Sequence, residues 1–148
     1  MILSRKILLS VLVVLIAIQF IRPARNNGGL DGPNELSKKY TLPVEVQTIL
    51  KQSCYDCHSN QTNYPWYANV QPVGLWIQYW HIDDGKKHLN FSEYATYSEK
   101  KAKHKFEEIV DEVKEGGMPL GTYTFMHHEA VLTPEQSKTL TDWAESLK

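Results

Sequence analysis

Pro43-Val44-Glu45-Val46-Gln47-Thr48-Ile49-Leu50-Lys51-Gln52-Ser53-Cys54-Tyr55-Asp56-Cys57-His58 is the stretch whose reading decides the fold. Proline suits the first position of a helix. Val46, Ile49 and Leu50 follow at i, i+3, i+4 spacing, so a helix is predicted to run directly into Cys54. The helical period continues downstream. Pro72 opens a second predicted helix through Trp76, Ile77 and Trp80, ended near Gly85. Ala102, Phe106, Ile109, Val110 and Val113 form one apolar stripe, with Ser98 as N-cap and Gly116-Gly117 as the stop. Thr133-Pro134-Glu135-Gln136 is a capping box with proline at N1. It opens a last helix whose buried face is Leu140, Trp143, Ala144 and Leu147. No segment alternates as a strand would, so the class is all-α.

The chain has 148 residues and a formal net charge of −1. Arg5, Lys6, Arg22 and Arg25 stand in a start that holds no acid, and the remainder carries 12 basic against 17 acidic side chains. An acidic working domain argues against nucleic acid as a partner. Arg5 and Lys6 precede an apolar run from Ile7 to Ile21, broken only by Ser10 and Gln19. The run is about 22 Å long as a helix, against about 30 Å for a bilayer core. The expectation is nonetheless an uncleaved single-pass anchor over residues 1–25, with a cleaved export signal as the competing reading. The flank Phe20-Ile21-Arg22-Pro23-Ala24-Arg25 suits cleavage poorly. Residues 26–37, rich in glycine and asparagine, read as a flexible tether, and residues 38–148 as the working domain.

Cys54-Tyr55-Asp56-Cys57-His58 is the chemical centre of that domain. Two cysteines three positions apart on one turn can reach both vinyl groups of a single haem and hold it by thioether bonds. A histidine immediately after the second cysteine can then meet the iron. The expected cofactor is therefore one covalent c-type haem, with Cys54 and Cys57 as attachment points and His58 as proximal ligand. A redox dithiol would follow a strand within a βαβ unit, and none is visible. A structural zinc site would need a fourth, remote ligand beside Cys54, Cys57 and His58. A disulfide across so short a span would close almost nothing. Haem of this type is attached outside the cytoplasmic membrane. The expected location is thus a bacterial inner membrane with the haem domain in the periplasm.

Met118, followed by Pro119, lies just beyond the Gly116-Gly117 stop and is the expected distal ligand. Thioether ligation would favour reduced iron. His81, His88, His127 and His128 remain alternatives for that position, while His104, between two lysines, is expected to face solvent. Tyr64, Trp66, Tyr67, Trp76, Tyr79 and Trp80 are expected to pack around the porphyrin or in the core.

Four strings carry a resemblance. They are Cys54-Tyr55-Asp56-Cys57-His58-Ser59-Asn60, Tyr64-Pro65-Trp66-Tyr67, His88-Leu89-Asn90-Phe91-Ser92-Glu93 and Met118-Pro119-Leu120. Over residues 35–148 the chain resembles the bacterial haem-binding domain family. More generally it is similar to small class I cytochromes c. The resemblance implies a cytochrome c-like helical domain wrapped around one haem. The expected role is a membrane-anchored periplasmic one-electron carrier, not an enzyme. Its partners would be redox proteins, among them membrane respiratory components. The alternatives are a haem-based gas or redox sensor or a peroxidase-like protein with a labile sixth ligand, and, further off, a zinc-stabilised interaction module.

Overall fold

The computed structural model describes residues 2–148, with side chains from Ser4 onward. Its helices are α1 (Ile2–Ile18), α2 (Val44–Ser53), α3 (Tyr55–His58), α4 (Val73–Trp76), α5 (Asp83–His88), α6 (Glu99–Glu115), α7 (Gly121–Thr124) and α8 (Pro134–Glu145). A π-helical segment, Ile77–Ile82, joins α4 to α5 without a break. Short 3-10 turns fill the connections. The described residues hold no strand, only an isolated bridge between Asn27 and Gln61. The all-α expectation stands.

The long helices start and stop as their local chemistry dictates. Ser98 accepts a hydrogen bond from the Lys101 N–H at 3.3 Å and so caps α6. Gly116 ends it at φ 73°, a left-handed conformation that glycine adopts freely. In α8 the capping box is complete: Gln136 N–H donates to Thr133 Oγ1 at 3.2 Å, and Thr133 N–H to Gln136 Oε1 at 2.9 Å.

The core lies where α2, α6 and α8 meet. Phe106 of α6 is its centre, fully buried. Its ring lies 5.1 Å from Tyr40, 5.1 Å from Tyr94 and 5.5 Å from Trp143. Val46, Ile49, Leu50, Val110 and Leu140 close around this cluster. The Tyr94 hydroxyl donates to Ala102 O at 2.8 Å, so no buried polar atom is stranded there.

Three expectations need correction. The first concerns the N-terminus. α1 has 17 residues, about 26 Å of helix, and carries Arg5 and Lys6 inside it. Among the described residues no helix is long and apolar enough to cross a membrane. The expected transmembrane anchor over 1–25, and with it the single-pass inner-membrane placement with a periplasmic domain, is therefore overturned. Met1 and the side chains of Ile2 and Leu3 lie outside the described residues. The C-terminal end of α1 joins the domain instead. Gln19 Nε2 donates to Gln71 O and accepts, through Oε1, from Gln71 N–H, each at 2.9 Å.

The second concerns residues 26–37, which are packed rather than free. Asn26 is buried, and its Nδ2 donates to Ser59 O at 2.8 Å and to Thr62 Oγ1 at 2.9 Å. Leu36 is fully buried in the core. At Gly28 the chain passes close to its neighbour: its N–H donates to Asn60 O at 2.6 Å, and a Cβ there would stand 3.1 Å from that same oxygen.

The third concerns the aromatics. Trp66 (76% exposed) faces outward, with Tyr79 and Trp76 also exposed, whereas Trp80, though 70% exposed, borders the same cavity as Cys57 and His58, as expected. The core takes Tyr55, Phe91, Tyr94, Phe106 and Trp143 instead. Clustering of aromatic residues along the chain did not say which way each would point.

A candidate haem site

α2 stops at Cys54 and α3 begins there. Cys54 has φ −127° and ψ −39°, outside the helical well, so the axis bends at this residue. The turn is then closed by Cys57 N–H and His58 N–H, which donate to Cys54 O at 3.2 and 2.9 Å. Both thiols are free. Burial, chiefly, pushes each thiol up to about 12, so both are protonated at neutral pH.

Cys54, Cys57 and His58 line one cavity of about 520 Å³. That lies within the roughly 300–1,000 Å³ range of ligand pockets. Leu50, Phe91, Ile109, Val113 and Leu140 supply apolar walls. Met118 is in the wall too, brought there by the end of α6: Gly117 N–H and Met118 N–H both donate to Glu112 O, at 2.9 and 3.2 Å. The four expected site residues thus meet at one space. Of the alternative ligands, His81 and His88 also line the cavity, whereas His127 and His128 do not. His104 is on the surface beside Glu107 and Glu108, as expected.

His58 is held in a form suited to binding a metal. Its Nδ1 is 3.0 Å from Gly85 O and 3.1 Å from Leu89 O. Those two oxygens can only accept, so Nδ1 carries the proton and Nε2 keeps its lone pair. Burial draws the His58 pKa below the ordinary imidazole range, and the Leu89 and Gly85 carbonyls oppose that in part. The donor set therefore fits haem: two thiols on one turn, one fixed neutral imidazole, an apolar cavity and a thioether sulfur in the wall. Among the described residues no group of three or more His, Cys, Asp or Glu side chains is arranged to hold a bare metal ion.

Sequence reasoning missed the residues that fix this turn. Tyr55 points into the core, and its hydroxyl donates to Glu35 Oε1 at 3.2 Å. Asp56 Oδ1 accepts from Asn63 N–H at 2.9 Å, and its Oδ2 from the Tyr123 hydroxyl at 2.8 Å. Tyr55 thereby ties the motif to the segment before α2, and Asp56 pins the following loop and α7. Gly85 was expected to end a helix, but the helix runs on to His88. Its small size serves packing instead: a Cβ there would lie 2.9 Å from Cys57 O and 3.3 Å from Cys57 Cβ. Gly85→Ala is expected to cost about 1–3 kcal/mol through overpacking and to lower haem content, since it moves the carbonyl that holds His58. Urea unfolding and the haem-to-protein absorbance ratio measure both. An unchanged midpoint would show that α5 can slide aside freely.

An all-helical fold that turns two thiols and a fixed imidazole into one apolar cavity defines a haem-binding protein. The chain belongs to the haem-binding domain family, whose model matches residues 13–146. Neither a curated protein nor a solved structure shows a significant match.

Proposed function

We propose that the chain is a one-electron carrier with a single haem, bound covalently by thioethers from Cys54 and Cys57 and ligated by His58 and Met118. The observation that carries this reading is the convergence of those four side chains on one cavity. A bound haem supplies an iron that alternates between Fe(II) and Fe(III). The protein's own groups do the rest. Cys54 and Cys57 fix the group against the bend between α2 and α3. Gly85 and Leu89 keep the His58 lone pair on Nε2. Leu50, Ile109, Val113 and Leu140 keep water from the apolar faces. Held by His58 and Met118 together, a haem would offer no open site to a substrate, and its natural partners would be electron-donating and electron-accepting proteins.

The Met118 assignment has a direct spectroscopic check. The oxidised protein is expected to show a methionine–iron charge-transfer band that disappears in Met118→Ala, with the midpoint potential falling. A band unaffected by the substitution, or a high-spin ferric spectrum in the unaltered protein, would move the reading to a gas- or peroxide-binding haem.

A further inference from the structure

Met118 is carried by a segment with little packing of its own. The chain leaves α6 through the bonds of Gly117 N–H and Met118 N–H to Glu112 O, and then forms α7, four residues long. So short a helix has no stability by itself. Burial adds little: Gly121, Thr122 and Phe125 are exposed, and Tyr123 and Thr124 are half-buried. The shape of the segment is nonetheless fixed from within. Tyr123 N–H and Thr124 N–H donate to Leu120 O at 2.9 and 3.0 Å, and Phe125 N–H to Gly121 O at 3.0 Å. Pro119, with its locked φ, is the joint between this turn and Met118. Met118, Leu120 and Tyr123 all line the main cavity.

Side chains tie the segment down. His127 Nε2 is 2.8 Å from the Tyr67 hydroxyl. The Tyr123 hydroxyl donates to Asp56 Oδ2 at 2.8 Å, and the Tyr123 ring stacks on His127, centroids 4.4 Å apart and planes 18° from parallel. The Tyr123 bond is the one that reaches the haem motif. Asp56 stands between Cys54 and Cys57 and is itself fixed: Oδ1 accepts from Asn63 N–H at 2.9 Å, and its carbonyl oxygen accepts from Thr62 Oγ1 at 2.6 Å. Burial, and then the Asp56 carboxylate, push the Tyr123 hydroxyl up, so it keeps the proton that makes the bond. A hydrogen bond to a carboxylate is stronger than one between neutral groups.

The segment that brings in Met118 is thus tied directly to the turn that holds both cysteines and His58. Resting on the reading of Met118 as the sixth ligand, we propose that Tyr123 is a positioning residue for it: the Tyr123 hydroxyl, bonded to Asp56, latches the Met118 segment against the cavity. A segment with few buried contacts opens locally at low cost. Loss of the latch therefore raises the share of molecules in which Met118 has left the iron, while the rest of the fold stays intact. A small added ligand reaches the iron only in that share, so its apparent Kd falls in proportion as the share rises.

Imidazole titrated into the oxidised holoprotein tests this, with loss of the methionine–iron charge-transfer band as the readout. Tyr123→Phe removes only the hydroxyl and keeps the ring on His127. It should retain the band but yield it to imidazole at an apparent Kd about tenfold lower, the scale of one lost hydrogen bond to a charged group. Asp56→Ala should also lower the Kd. Adding Tyr123→Phe to Asp56→Ala should then change the Kd by less than about twofold, because the two side chains act through one bond. A Tyr123→Phe Kd within about twofold of the unaltered protein overturns the proposal. So does a Tyr123→Phe effect that persists undiminished beside Asp56→Ala, since the hydroxyl would then act elsewhere. Should Asp56→Ala yield no holoprotein, the Tyr123→Phe comparison decides alone. A band missing from the unaltered protein is a different failure: it removes the Met118 reading and the latch with it. A band present, with imidazole affinity unmoved by Tyr123→Phe, removes the latch alone.

Discussion

The double variant Cys54→Ser, Cys57→Ser is expected to show no haem stain after denaturing electrophoresis and no haem-sized increment in intact mass. Serine keeps the size and polarity of each side chain but cannot form the thioether. The turn itself should survive, because it is closed by backbone bonds to Cys54 O and by the anchors of Tyr55 and Asp56, none of which uses sulfur. The far-ultraviolet spectrum should therefore stay helical. Haem added to this variant should still bind through His58 and leave on denaturation. Each single variant should retain a stained band, since one thioether suffices to carry the group through the gel. A band persisting in the double variant would place the attachment elsewhere and remove the basis of the proposed function.

Phe106→Ala should have the largest effect on stability, about 3–5 kcal/mol, the range for truncating a buried phenylalanine. Against a total of about 5–15 kcal/mol for a typical domain, that is a large share of what holds the chain folded. The reason lies in its neighbours. Tyr40, Tyr94 and Trp143 come from three separated parts of the chain and meet on this ring. Removing it opens a space that neither Tyr94 nor Trp143 can fill without giving up its own anchor: Tyr94 is tied to Ala102 O, and Trp143 Nε1 donates to Thr41 O at 3.2 Å. Urea unfolding of the holoprotein followed by circular dichroism is the measurement. A loss under about 1 kcal/mol would show that the cluster repacks, contrary to the usual behaviour of a dense core. Phe106→Leu should fall between the variant and the parent.

How far the structure was legible in the sequence depends on the distance between the residues involved. The α6 cap at Ser98, its stop at Gly116 and the α8 capping box are local, each settled within a few residues, and each is found where the pattern placed it. The turn from Cys54 to His58 is local too. What could not be read is what joins distant positions. Nothing in the sequence ties Gly85 to the back of Cys57, Tyr123 to Asp56, or Leu89 to His58, because side-chain periodicity reports a face and not its partner. The outward turn of Trp66 and Tyr79 was hidden for the same reason. Packing also overrode propensity at Gly85, where a residue that commonly ends helices sits inside one. At the N-terminus an apolar composition suggested a span, and its length did not support one.

The walls of the main cavity leave the ribosome in an order of their own. Cys54, Cys57 and His58 emerge early, while Ile109, Val113, Met118 and Leu140, which close over them, come late. On the proposed reading there is therefore an interval before the domain closes in which the two thiols are uncovered, outside the environment that in the folded chain pushes them up to about 12. A thioether-forming reaction would find its nucleophiles most reactive in that interval, since the thiolate is the attacking form. If Cys54 and Cys57 carry the haem as proposed, the burial that shields the finished site also sets when its thiols can react.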